Sequence, residues 1–330
     1  MRVIFKAHFA KAALLDIFPT GLLIEFFGNQ PSLKFFDRNL HELWCYPIQE
    51  ISMLYLRRDL ISFYWYEAGE SKVIDLTNGR VIEQEPRIYI YSDSDIKAYV
   101  ENSDEANLVI QKHGNKVSIP DVNGECVFGP TRLLRDWYKK KLTETYSSDD
   151  GELLWQVKYA DLLQSEKAFL HSNIVAHNDK VYLSVDGTED RGMFCLDCIS
   201  GQVLNKYESI IGRIINDNNI IYSLFSNEIV YLHLETEQLN VWSINDILRE
   251  NGFVSNFYQK WIVVDGVLFF THFTGTDNAK LGAIDIIQKT LIWKHDLPLN
   301  TALIGGLYVK DSTLYIHTQD NSLYLFDLEH

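Results

Sequence analysis

The feature that most limits how this chain can fold is a unit that recurs along it. Each copy is an apolar strand, a tight turn, a second strand ending in Asp, a further turn and a third strand ending in an aromatic residue. The clearest copy runs Val181-Tyr182-Leu183-Ser184-Val185-Asp186-Gly187, then Met193-Phe194-Cys195-Leu196-Asp197, Ser200-Gly201 and Val203-Leu204. Another reads Val267-Leu268-Phe269-Phe270, Leu281-Gly282-Ala283-Ile284-Asp285 and Leu291-Ile292-Trp293, and a third Leu314-Tyr315-Ile316 followed by Leu323-Tyr324-Leu325-Phe326-Asp327. Short apolar runs separated by turn residues at such intervals build antiparallel meanders and leave little room for helices.

Weaker copies are Phe35-Phe36-Asp37 with Trp44, Val73-Ile74-Asp75 with Asn78-Gly79, Asp149-Asp150-Gly151 with Trp155, and Tyr231-Leu232-His233-Leu234 with Trp242. Seven anchors result, about 47 residues apart on average, which is the spacing of propeller blades. The fold class expected is therefore all-β, a β-propeller of seven blades of four antiparallel strands, with six or eight also compatible with the spacing. The expected domain organisation is one domain over 1–330. The Asp ends its strand because a carboxylate accepts hydrogen bonds from the amides of the next turn, and the glycine supplies a positive φ there. The aromatic ring then packs against the neighbouring blade. The anchors of this scheme are Asp37, Trp44, Asp75, Trp155, Asp197, Trp242, Asp285, Trp293 and Asp327. A strand over Arg2–Phe9 is expected to complete the last blade, which would remove an open sheet edge and tie the ends of the ring together.

The unit resembles the Ala-x-Asp-x-x-Thr-Gly-x-x-x-Trp repeat of the quinoprotein-like (PQQ-repeat) β-propellers. Ala283-Ile284-Asp285 to Trp293 matches it most fully, whereas Leu196-Asp197 and Ser200-Gly201 keep the turn but place Asn205 where Trp is expected. Glu83 replaces another Trp, Lys289 and Gln238 occupy glycine positions, and the Asp is missing before Trp155 and Trp242. The resemblance implies the scaffold over most of residues 30–330. Its quinone-binding members use adjacent cysteines and calcium ligands; this chain has no adjacent cysteine pair, so neither a cofactor nor a metal is carried over.

The stretch from about 87 to 145 reads as an irregular insertion. It holds the acidic residues Asp93, Asp95, Glu101, Asp104 and Glu105, followed by Thr131 to Leu142, in which Leu133, Leu134, Trp137, Tyr138 and Leu142 fall on one side of a helix. A helix lying on the ring is one reading of this segment and an extra degenerate blade the other. A shorter helix is expected from Ser243 to Asn251, ended by Gly252.

The net charge is -15, which disfavours nucleic acid and anionic membrane surfaces as partners. Cys45, Cys126, Cys195 and Cys198 are too few and too irregular for a disulfide framework, and no leader or membrane span is read, so a cytoplasmic location is expected. Cys195 and Cys198 share a metal-like spacing, but two further ligands at comparable spacing are missing. Neither a nucleophile elbow, a phosphate-binding loop nor a zinc-protease motif occurs. His233, His272 and His317 do not converge by strand alternation, and Asp186 to Asp190 reads as a hairpin turn, not a calcium loop.

These residues lead to one main expectation: a non-catalytic propeller that binds a protein partner. Its acidic charge suits an inhibitor or immunity-type protein that neutralises a basic partner, with Asp93, Asp95, Glu101, Asp104 and Glu105 as the contact set. The alternative is an enzyme or sugar-binding lectin with a site at the mouth of the central channel, where Trp65, Tyr66 or Tyr258 would stack on the ligand.

Overall fold

A computed structural model describes residues 2–329 except 49–52, 58–59, 66–69, 86, 93–95, 102–107, 113–114, 120–125, 129–131, 138–139, 172–173, 254–257, 273–278 and 299–303. Among the described residues the strands form eight antiparallel sheets. They fall into two compact units. The first, Met1–Val122 with Thr301–His330, holds four sheets: sheet 1 (residues 12–47), sheet 2 (53–85), sheet 3 (87–119) and sheet 8 (304–329 with 2–9). The second, Asn123–Asn300, holds sheets 4 (126–158), 5 (169–207), 6 (214–243) and 7 (258–296). In every sheet but the last the strands form a local meander in chain order, save that Phe169–Leu170 and Val175–His177 both pair with Lys180–Asp186 in sheet 5. No helix among the described residues is long and apolar enough to cross a membrane.

Sheet 8 is the exception that the sequence anticipated. Arg2–Phe9 pairs antiparallel with Leu323–Glu329, Arg2 opposite Glu329 and Phe9 opposite Leu323. The first strand of the chain thus becomes the outer strand of the last sheet and covers its edge. The register slips between Phe5 and Ala7, and Lys6 at that bulge reaches Asp327 at 2.9 Å. Asp327, the last of the repeat anchors, is held by an ion pair where the others hold a turn.

In the earlier copies the Asp works as its chemistry demands. Asp75 Oδ1 accepts from the Thr77 amide at 2.8 Å and from the Thr77 hydroxyl at 2.6 Å. Asp197 Oδ1 does the same with the Ser200 amide and hydroxyl, both at 2.7 Å. The Gly79 and Gly201 amides close the turns onto the Asp75 and Asp197 carbonyls at 2.9 Å. Ser147 replaces Asp in sheet 4, its hydroxyl accepting from the Asp149 and Asp150 amides at 3.3 and 3.4 Å, and Gly151 closes that turn. His233 stands in the Asp position of sheet 6, where the residue of positive φ is Glu237, not Gln238 as the spacing suggested. Lys289 takes the same conformation in sheet 7, at φ 56°.

These hydrogen bonds favour the charged carboxylate, so Asp75 and Asp197 titrate low. Asp197 is lowered first by the Ser200 hydroxyl and then by the amides of Ser200 and Ile199, and Asp75 by the Thr77 hydroxyl and amide. An unfolded aspartate takes its proton near pH 3.9. The turns therefore contribute their full stability above that pH and lose it as the pH falls through the lower folded values. Asp197→Asn is expected to flatten the acid limb of a stability-against-pH curve while keeping the turn's amide acceptor; an unchanged acid limb would show the carboxylate to be idle.

Tryptophan packs as the repeat predicts. Trp44 on the outer strand of sheet 1 donates its Nε1–H to the Leu76 carbonyl of sheet 2 at 2.7 Å, and Trp155 of sheet 4 donates to the Cys198 carbonyl of sheet 5 at 2.9 Å. Each ring lies on the glycine of the same turn: a Cβ at Gly79 would come within 2.8 Å of Trp44, and one at Gly201 within 2.7 Å of Trp155. Those glycines are required twice, by φ values of 70° and 71° and by the indole above them. In the next copy the glycine is absent, and Lys289 instead holds its ammonium 5.7 Å from the Trp242 ring.

Among the described residues the sheets number eight, the upper value the spacing allowed, where seven were expected. Sheet 3 has neither a turn Asp nor an outer-strand Trp, which is why no anchor marked it. The segment 131–142 is corrected from helix to strand: Arg132–Trp137 pairs with Leu142–Ser147 across a turn at Lys140 and Lys141. A free helix of a dozen residues is marginal in water. Pairing with the adjacent strand buries Leu133 and Leu134 on opposite faces and satisfies the backbone at once. The shorter helix is present as Asn245–Glu250, with Gly252 at φ 75° and the Phe253 amide donating to Leu248 at 2.9 Å.

Candidate functional site

Of the acidic contact set, Asp93, Asp95, Asp104 and Glu105 lie outside the described residues, and Glu101 ends the strand Ile96–Glu101 with its side chain also outside them. The same holds for residue 66 and for the side chains of Trp65 and Tyr258, which end and begin strands of sheets 2 and 7.

The titratable candidates that can be placed serve packing. Cys195 is buried among Tyr182, Met193 and Tyr207, and Cys198 follows in the turn; burial raises both thiols above their ordinary range. His272 is buried edge-on against Phe253, and His317 is half-buried, a position that pushes its pKa down. The Asp186 to Asp190 segment is a hairpin turn, closed by the Gly187 amide on the Asp190 carbonyl at 2.9 Å. Among the described residues no three His, Cys, Asp or Glu side chains gather as metal ligands would. Cys45 lies on a different sheet from Cys195 and Cys198, so these thiols do not reproduce the adjacent pair of the quinone-binding propellers.

Two arrangements were not foreseen. His171 Nδ1 stands 2.9 Å from Asp186 Oδ2, beside the interrupted first strand of sheet 5. The carboxylate holds the imidazole N–H on Nδ1 and leaves Nε2 facing Gly212. The other arrangement is a buried charge pair in sheet 4. Arg135 and Glu144, 2% and 7% exposed, are directly opposite across the strands, with Nη2 2.5 Å from Oε2. Tyr146 joins them, donating to Glu144 at 2.7 Å and accepting from Arg135 at 2.6 Å. Burial, and then the bond to Glu144, push its hydroxyl up to about 12. Alternation alone shows where Arg135 could face, but only its opposite neighbour reveals that it is inside.

The outer strands carry a more regular feature. In five sheets the residue before the Trp position is aliphatic and turned away from the face that the Trp fills: Leu43 before Trp44, Ile82 before Glu83, Leu154 before Trp155, Leu204 before Asn205 and Val241 before Trp242, whereas Ile292 before Trp293 is half-buried. These five are 43–54% exposed. Single exposed leucines need no explanation, but the same exposure at the same place in five sheets, two in the first unit and three in the second, is a pattern. Leu153, Val81 and Val203 extend it. The repeat reading saw these strands as blade mortar and did not read their outward positions.

Meanders of four strands, the Trp-on-glycine contacts and the first strand paired to the last sheet define a β-propeller. Comparison with solved structures agrees. The chain is similar to BamB from Moraxella catarrhalis, with a TM-score of 0.62 at 8% identity over 99% of this chain and 100% of that one. It is similar to Sqt1 from Saccharomyces cerevisiae, TM-score 0.61 at 9% identity, covering 99% of each chain. A europium-containing methanol dehydrogenase aligns with TM-score 0.55 at 9% identity, over 99% of this chain and 93% of that one. No protein-family model matches the sequence, and no curated protein matches it. The likeness to quinoprotein-like propellers therefore holds at the level of the fold.

Proposed function

We propose that this propeller binds a protein partner through the outward faces of its outer strands, as a non-catalytic interaction scaffold. The exposed aliphatic residue repeated at Leu43, Ile82, Leu154, Leu204 and Val241 carries this reading. Apolar side chains left in water at matching positions are the kind of surface that a partner covers. The propeller neighbours BamB and Sqt1 are compatible with such a role by fold.

The net charge of -15 favours a basic partner, and the acidic set Asp93, Asp95, Glu101, Asp104 and Glu105 is proposed to steer it, as an inhibitor of immunity type would. Leu154→Ser combined with Leu204→Ser should weaken partner binding at least about tenfold while leaving the melting temperature within a few degrees. Neutralising the acidic set should slow association and remove most of its salt dependence. Binding unaffected by the serine pair would overturn the apolar surface; association insensitive to salt would overturn the basic partner.

A further inference from the structure

Sheet 1 holds a groove of about 770 Å³, lined by the 29–32 loop, Lys34, Cys45, Pro47 and Ile48. That volume suits a ligand of tripeptide size. Strand register explains its lining. Ser32 is opposite Pro47 and Lys34 opposite Cys45, so all four share one face of the sheet. Leu33, Phe35 and Trp44 alternate to the other face and enter the core.

Three chemistries meet in the groove. Cys45 is an exposed free thiol. Lys34, directly across from it, holds its ammonium 5.2 Å from the centre of the Phe26 ring and pairs with Glu42 at 2.7 Å. Its proton is held more tightly than usual, chiefly by the Glu42 hydrogen bond, with burial opposing and the charges of Glu42 and Cys45 adding. Ser32 is 7% exposed, and the register turns it toward the groove, whose lining it joins. A hydroxyl that opens on the groove, a cation and an accessible thiol on one concave face together offer the polar contacts of one ligand.

We propose that Cys45 is a thiol–disulfide exchange site for a small, carboxylate-bearing disulfide of the glutathione class, oriented by Lys34 and Ser32. The deprotonated sulfur of Cys45 attacks one sulfur of the bound disulfide. The ligand's S–S bond breaks, a Cys45–ligand S–S bond forms, and the departing thiolate takes up the proton that Cys45 lost, so no further oxidant is consumed. Lys34 holds a ligand carboxylate and Ser32 donates to the ligand backbone.

The test uses the full chain with glutathione disulfide, followed by intact mass and peptide mapping of all four cysteines. Cys45 should acquire the adduct first. The unaltered protein should react faster with anionic glutathione disulfide than with cationic cystamine, although a chain of charge -15 attracts cystamine overall. Lys34→Gln should slow the glutathione reaction about three- to tenfold, and Glu42→Gln, which frees the ammonium, should accelerate it. Ser32→Ala should slow it while leaving alkylation by neutral iodoacetamide unchanged. Faster reaction with cystamine, equal rates for Lys34→Gln and Glu42→Gln, or first modification at another cysteine would overturn the proposal.

Discussion

Trp155→Ala is expected to lower the free energy of unfolding by about 3–5 kcal/mol, the cost of emptying a well-packed aromatic site. The indole fills the space between the outer strand of sheet 4 and the turn of sheet 5, in one cluster with Leu134, Val181, Leu183 and Leu196. Its N–H also donates to the Cys198 carbonyl at 2.9 Å, beside a second bond there from Arg132. The contact predicts a coupling as well as a cost. Gly201→Ala places a methyl group 2.7 Å from the indole at a φ of 71°, and should itself cost more than the roughly 1–2 kcal/mol of a left-handed alanine. In the Trp155→Ala background the clash disappears and only the backbone strain remains. A urea-denaturation cycle followed by circular dichroism should thus be clearly non-additive. Additivity within about 0.5 kcal/mol would mean that ring and glycine do not sense each other.

Arg135→Met should cost a comparable amount, about 3–5 kcal/mol, because it leaves the Glu144 carboxylate buried without its guanidinium. The loss should depend on pH in a defined direction. Without Arg135, burial raises the folded pKa of Glu144 above its unfolded value near 4.3, so the penalty is largest above the folded pKa and shrinks as acid protonates the group. Replacing the triad as a whole, Arg135→Met with Glu144→Leu and Tyr146→Phe, removes the buried charges together with the hydroxyl that bridges them. It should recover most of the stability. A single Arg135→Met variant as stable as the parent at neutral pH would mean that the charge pair is solvated and contributes nothing.

Local chemistry made a large part of the architecture legible. Asp75 and Asp197 bond to groups two and three residues ahead of them, and Gly79 and Gly201 are required within the same five-residue turns. Such interactions are written in neighbouring residues, and they hold wherever the strands go. The tryptophans were legible for a related reason: a wide ring at a fixed distance from each turn has one apolar place to go. Sheet 3 was not countable because it uses neither device, and its strands are recognised only by their pairing. Of the proposed contact surface, the charge was legible and the aliphatic positions were not, since an outer-strand leucine reads as core until the facing side of the sheet is known.

Turns, strand lengths and the pairing of the first strand with the last sheet follow from the amino-acid order, because each rests on short-range hydrogen bonding or on covering an exposed edge. Three things waited for the assembled sheets. The segment 132–137 became a strand because Leu142–Ser147 offered it a partner. Arg135 could be buried because Glu144 was brought opposite it. Cys45 came to face Lys34 because two strands joined by a turn set that register. In each case the deciding neighbour lies across a strand pair, and the cost of burying a polar or charged group depends on what stands there.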